Sequence, residues 1–207
     1  DPAACFSGRG TLEAASMGVE LAPDDVALRC NLIALNDGAI KNHSAGHISS
    51  EEAAELIKAL DNALGKGQGE FPVAFHMGVS YRHLLVLQGG WAAPEVACAP
   101  PHDHVGESVA ALLPRATADS PQAIATAKRL VELYERALPI LAEHPVNQKR
   151  KAAGKDGADA MWTWSPGRRP SMQTLQTLYE KSGAVISAVD LIKGLGRYAG
   201  MEVIEVP

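Results

Sequence analysis

No apolar run in the 207 residues approaches the roughly 20 needed to cross a bilayer, so no membrane partner is expected. Basic residues are not in excess either. The 19 Lys+Arg stand against 24 Asp+Glu, a formal net charge of -5, and a chain without a basic face is a poor partner for nucleic acid. Cysteine is scarce and odd in number: Cys5, Cys30 and Cys98 have no metal-ligand spacing and suggest no disulfide framework, which fits a reducing cytoplasm. The sequence has no initial methionine, no signal-like segment and no basic leader, so it is expected to be cytoplasmic and to be cut from something larger. It has no internal repeat, and 46% hydrophobic with 21% charged residues excludes disorder and suits one large domain or two small ones.

Several chemical signatures are also missing. Gly8-Arg9-Gly10-Thr11-Leu12-Glu13 resembles part of a phosphate loop, but it lacks the lysine-serine pair and a preceding strand. Ser44-Ala45-Gly46-His47 and Gly78-Val79-Ser80 place serines near histidines without the strand-turn-helix setting of a nucleophile elbow. In His102-Asp103-His104 two imidazoles share one side of an extended segment, yet two ligands do not make a metal site. His43, His47, His76, His83 and His144 add no zinc-type spacing.

What is present alternates strand and helix patterns. The apolar run 26–35, the turn Asn36-Asp37-Gly38 and the run 39–43 predict a hairpin. Ser49 and Glu52 form a capping box opening a helix with Ala53, Leu56, Ile57, Leu60 and Leu64 on one face and Gly65 as its stop. Strands are expected over 71–76 and 83–87, and an extended proline-rich segment over 94–101. A long helix is expected over 121–141, with Ile124, Ala127, Leu130, Val131, Tyr134 and Leu138 on one face and a kink at Pro139. Residues 148–156 read as an exposed basic loop. Beyond the apolar stretch 160–164, where Trp162 and Trp164 share a face, come a short helix at 175–178, a strand at 184–186, a helix at 189–197 and a strand at 202–206. The fold class is α+β: a mixed, largely antiparallel sheet packed with helices in a two-layer sandwich, for which a ferredoxin-like plait is one arrangement.

Four glycine- or proline-flanked turns collect basic groups: Tyr81-Arg82-His83, Pro101-His102-Asp103, Gly167-Arg168-Arg169-Pro170 and Lys193-Gly194-Leu195-Gly196-Arg197. A guanidinium offers a planar fork of donors that matches a phosphate or carboxylate, so a phosphorylated small molecule is the expected ligand. The alternative for each arginine is a helix cap or a solvated loop.

In order along the chain, the strings 8–19 (GRGTLEAASMGV), 44–48 (SAGHI), 79–83 (VSYRH), 100–103 (PPHD), 144–147 (HPVN), 167–170 (GRRP) and 183–194 (GAVISAVDLIKG) resemble the archaeal-type, 2,3-bisphosphoglycerate-independent phosphoglycerate mutases of the alkaline phosphatase superfamily. The pattern departs from that family at His104-Val105 and at Ser165-Pro166. The resemblance implies an inserted substrate-binding domain over 25–207, with 1–24 as a flank joining a missing phosphatase domain. That absent domain would carry the nucleophilic serine and two divalent metals (Mn, Mg or Zn), and this chain would hold no metal and be inactive alone. The implied reaction moves a phosphoryl group between the 3- and 2-positions of glycerate in glycolysis, with phosphoglycerate and the phosphatase domain as partners. Carried onto this sequence, Arg82, Arg168 and Arg169 are forks for carboxylate or phosphate, and Lys193 and Arg197 are further contacts. His102 and Asp103 would orient or exchange protons with a hydroxyl, and His47 and His83 are additional candidates. This reading expects Arg82, His102, Arg168 and Arg169 to face one cleft. A homoserine kinase-like phosphotransferase and a non-catalytic interaction domain are the alternatives, the latter expecting scattered arginines.

Overall fold

The computed structural model describes residues 8–65 and 70–206; Cys5 lies outside them. The hairpin forms as the sequence dictates. Strand β1 (Val26–Asn36) turns at Asp37 and Gly38, whose φ values of 49° and 74° are the left-handed conformations a two-residue hairpin turn requires, into β2 (Ala39–Asn42). Strands β3 (Val73–His76) and β4 (Arg82–Leu87) and the long β7 (Ala160–Arg168) complete one five-stranded sheet, with β1 pairing β2, β4 and β7 and β4 pairing β3, every pair antiparallel. The expected mixed character is confined to a separate two-stranded parallel pair, described below.

Helix α2 (Ser50–Leu64) is closed by the Ser49–Glu52 capping box, in which each side chain accepts from the other's backbone N–H. The short β5 (Val96–Ala97), α3 (Val109–Leu112) and β6 (Arg115–Ala116) lie between β4 and α4 (Pro121–Glu143). Helix α4 runs past Pro139 to Glu143, and its core face is Ala123, Ala127, Leu130, Leu133, Ala137 and Leu141, with Ile124 exposed, a stripe rotated from the expected one. Helices α2 and α4 bury their apolar faces against Val26, Leu28, Cys30, Leu32, Leu85 and Leu87 of the sheet.

Residues 148–152, expected in a loop, belong to helix α5 (Pro145–Ala152). The expectation took basic residues to mean exposure. Arg150 is instead buried, donating to the carbonyls of Asp156 (2.9 Å) and Ala45 (2.7 Å) and pairing with Glu52, so that every guanidinium edge is satisfied away from water. These bonds anchor the 42–47 loop, where Asn42 also binds Asp156 through its side chain and accepts from the N–H groups of Ser44 and Gly46.

The opposite face of the sheet decides where a ligand can sit. At one end Ala27, Leu84 and Val86 pack under helix α1 (Arg9–Ser16), which the sequence reading did not anticipate; at the other, Ile33, Ala160, Trp162 and Trp164 pack with Ile40 and Val109. Helix α1 reaches the sheet because Gly10 touches the Ala27 backbone and Gly8, at φ 112°, touches the Pro166 carbonyl; a Cβ at either position would overlap those atoms.

Beyond β7 follow α6 (Leu175–Tyr179), β8 (Ala184–Val185), α7 (Asp190–Tyr198) and β9 (Glu202–Val203), with β8 and β9 pairing in parallel across α7. Gly194 of α7 packs on the Leu12 backbone of α1, and Tyr198 Oη donates to the Thr11 carbonyl at 3.3 Å, so the two ends of the described chain meet. Ile186, Val189, Ile192, Leu195, Ile204 and Val206 of this unit are exposed.

Candidate functional site

Between the two apolar ends of that second sheet face lies a polar stripe. Period-two alternation along β1 sends Leu28, Cys30 and Leu32 to the helix-covered core and Arg29 and Asn31 to the other face. Register then assembles their neighbours: Asn31 lies opposite Arg82 of β4, and Arg29 lies opposite Trp164 of β7. Arg9 enters from the amino end of α1, its backbone N–H bound to Ser165 Oγ at 2.9 Å, and Tyr81, His43 and His102 close the rim. These eight residues line a cavity of about 320 Å³.

Aromatic rings set its walls. The Arg29 guanidinium lies 4.4 Å over the Trp164 ring, Arg9 lies 5.7 Å from the same ring, and Arg82 lies 5.1 Å from Tyr81. His102 meets Trp164 edge-on at 5.2 Å and His43 at 6.1 Å. Trp164 donates from its indole N–H to Asn31 Oδ1 at 3.2 Å, which fixes the central ring. Trp162 fills the core beside Tyr134, whereas Trp164 forms the cavity floor.

The electrostatics set three guanidiniums together, one of them paired with a buried carboxylate. Arg29 Nε lies 2.7 Å from Glu13 Oε1 in a pair almost wholly removed from water. Burial pushes the Glu13 carboxyl up despite Arg29, and burial pushes the Arg29 guanidinium down, with Arg9 and Arg82 adding like-charge repulsion. The Nε–H groups of Arg9 and Arg82 are buried with no hydrogen-bond partner among the described residues. Burial first, then His102 and His47, holds the His43 imidazole below its ordinary range, so it is neutral at pH 7.

The sequence candidates divide. Arg82 and His102 face the cavity together. His83 does not: it is 1% exposed on the core side of β4, accepts from the Gly78 N–H at Nδ1, and is driven by burial to a pKa of about 3. Arg168 donates to the Ala92 carbonyl at 2.8 Å, tying the end of β7 to the 91–93 segment. Arg169 and Arg197 line a different cavity of about 370 Å³ with Glu20 and Tyr198. That cavity lies by the carboxyl ends of α1 and α7, where helix dipoles favour cations and account for two arginines without an anion. Lys193 pairs with Glu205 at 2.7 Å, Asp103 with His102 at 3.6 Å, and His47 is exposed in the loop beside His43 without lining the cavity. The single cleft expected for Arg82, His102, Arg168 and Arg169 is therefore not formed.

Three contributors escaped sequence reading: Arg9, Arg29 and Asn31. A polar pair two apart inside an otherwise apolar strand was the available signal for the last two, and an arginine held between two close-approach glycines was the signal for the first.

A family model described as 2,3-bisphosphoglycerate-independent phosphoglycerate mutase matches residues 1–147. The chain is 50% identical over 207 residues to the 2,3-bisphosphoglycerate-independent phosphoglycerate mutase of Methanosarcina acetivorans, an alignment covering 100% of this chain and 49% of that one. Against the probable enzyme of that name in Geobacter sulfurreducens it is 41% identical over 210 residues, covering 100% of this chain and 49% of the other. Among solved structures, a cofactor-independent phosphoglycerate mutase from Thermoplasma acidophilum superposes with a TM-score of 0.70 at 29% identity, covering 100% of this chain and 54% of that one. The chain spans about half the length of the curated relatives it matches.

Proposed function

The chain belongs to the 2,3-bisphosphoglycerate-independent phosphoglycerate mutase family, and on that premise we propose that it is the substrate-holding part of such an enzyme, gripping phosphoglycerate during 3- to 2-phosphoglycerate interconversion in glycolysis, in the cytoplasm. One observation carries the reading: Arg9, Arg29 and Arg82 converge on one cavity, and the buried Nε–H groups of Arg9 and Arg82 have no acceptor among the described residues. An unpaired buried donor is costly, and a phosphate or carboxylate oxygen supplies what each lacks. An interaction domain with scattered arginines has no reason to bury like charges side by side.

Phosphoryl transfer asks mainly for charge neutralisation and positioning. In this reading Arg9 and Arg82 donate to the anionic end of the substrate, Arg29 presents its Nη edge beside them, and Asn31 and Tyr81 offer neutral polar contacts. His102, on the exposed rim, is nearest to the solvent side and orients the hydroxyl. The nucleophilic serine and the two divalent metals are assigned to a partner phosphatase domain. The described residues include no group of three or more His, Cys, Asp or Glu that fits a metal. The exposed apolar side chains of the β8–α7–β9 unit support a partner: parallel strands are ordinarily covered on both faces, and this pair is not.

The test offers the full-length enzyme 3-phosphoglycerate, or homoserine with ATP, and identifies the products. Formation of 2-phosphoglycerate supports the reading; phosphorylated homoserine with no interconversion of phosphoglycerates replaces it with the kinase-like alternative.

A further inference from the structure

We propose that Glu13 is the positioning residue of the cleft: its carboxylate fixes the Arg29 guanidinium and sets the net charge offered to the anion. The proposal rests on the substrate-holding reading above. Glu13 lies in the second turn of α1, and α1 is locked to β1 by the Gly10 contact and to α7 by the Gly194 contact, so the Glu13 backbone cannot drift relative to Arg29. Its Oε1 is 2.7 Å from Arg29 Nε, and both side chains are less than one-tenth exposed. The Trp164 ring, itself held by Asn31, covers the guanidinium at 4.4 Å. With Nε taken by the carboxylate and a face taken by the ring, the Nη edge is what remains for a ligand.

A carboxylate behind an anion site, paired with one of its arginines, also subtracts charge. Three guanidiniums line the cavity and Glu13 offsets one of them, with His43 neutral at pH 7. The two roles of Glu13 act on ligand affinity in opposite directions, and two substitutions separate them. In Glu13→Gln the amide oxygen takes the place of Oε1 beside Arg29 Nε, so the fork stays in place while one negative charge is lost. In Glu13→Ala the fork is released.

The experiment uses the full-length protein and calorimetric titration with 3-phosphoglycerate, repeated with inorganic phosphate, at low and at moderate salt. Arg29 Nε–H exchange is followed in parallel by nuclear magnetic resonance. The expected Kd falls about fivefold in Glu13→Gln, with a steeper salt dependence, and rises about tenfold in Glu13→Ala, where the Arg29 Nε–H also exchanges faster. A carboxylate that only neutralises a buried arginine predicts loss of stability with no opposition of sign. Shifts of Kd in the same direction in both variants, or none, overturn the proposal. Unchanged Arg29 exchange in Glu13→Ala overturns the positioning role even if neither anion binds the wild type, an outcome that separately overturns the substrate-holding reading and the charge role. If Glu13→Ala fails to fold, a Glu13→Gln Kd that does not fall is sufficient to overturn the charge role, and faster Arg29 exchange in Glu13→Gln overturns the positioning role.

Discussion

Replacing Arg82 by alanine is expected to raise KM for 3-phosphoglycerate about 100-fold in the full-length enzyme while kcat stays within about threefold. Arg82 reaches the cavity from the first position of β4, and its buried Nε–H has no partner among the described residues. Among the described residues its side chain makes one hydrogen bond, a long one of 3.5 Å to the neighbouring Tyr81 hydroxyl. Two charged hydrogen bonds to an anion account for an effect of about 3 kcal/mol, and binding lost equally from ground and transition states appears in KM. The same substitution should not destabilise the ligand-free protein, because Arg82 is among the like charges that depress Arg29. Removing it relieves repulsion, so the melting temperature is expected to hold or rise. Steady-state kinetics and thermal unfolding of one variant thus move in opposite directions, the signature of a group held for function at a cost to stability. An Arg82 that served only the fold would lose melting temperature and leave KM alone.

The second large effect is acid sensitivity arising from His83. The imidazole is buried in the core, and burial lowers its pKa from 6.5 to about 3. The unfolded chain takes up a proton near the ordinary value, the folded chain only near the depressed one. Stability from this residue is therefore complete above pH 6.5 and is lost as the pH falls toward 3, at about 1.4 kcal/mol per pH unit. Between pH 7 and pH 5 the wild type should lose about 2 kcal/mol more than His83→Gln, which keeps an acceptor for the Gly78 N–H but does not titrate. Urea unfolding at the two pH values measures the difference. Parallel pH dependence in the two proteins would remove His83 as the source.

His83 also shows what the sequence could and could not reveal. Arg82 and His83 adjoin in what the sequence presents as one basic turn, but they are consecutive residues of β4, and consecutive strand residues point to opposite faces. One had to face the core if the other faced the ligand. Turn chemistry, the capping box and the helix of 50–64 were legible because each is written locally. The hairpin, most strands and the α+β class followed from periodicity. Convergence was not legible. Arg9, Arg29 and Arg82 are brought together by the β1–β4 and β1–β7 registers and by two glycine contacts of α1, and all of these are long-range. Arg29 was further concealed by lying in a strand read as apolar, where a charged side chain is tolerated because Glu13 and Trp164 receive it. Conversely, Arg168, Arg169, Lys193 and Arg197 had the right chemistry in the right sort of turn and were drawn elsewhere, to a carbonyl, a second cavity and a surface ion pair.

The central claim is that one anion joins Arg9, Arg29 and Arg82. The most direct measurement follows the arginine Nε–H signals of the full-length protein by nuclear magnetic resonance as 3-phosphoglycerate is added. The account predicts that the Arg9 and Arg82 signals shift together and become slower to exchange as their missing acceptor arrives, with Arg169 and Arg197 unmoved. Shifts confined to Arg169 and Arg197, or none at saturating ligand, would contradict it.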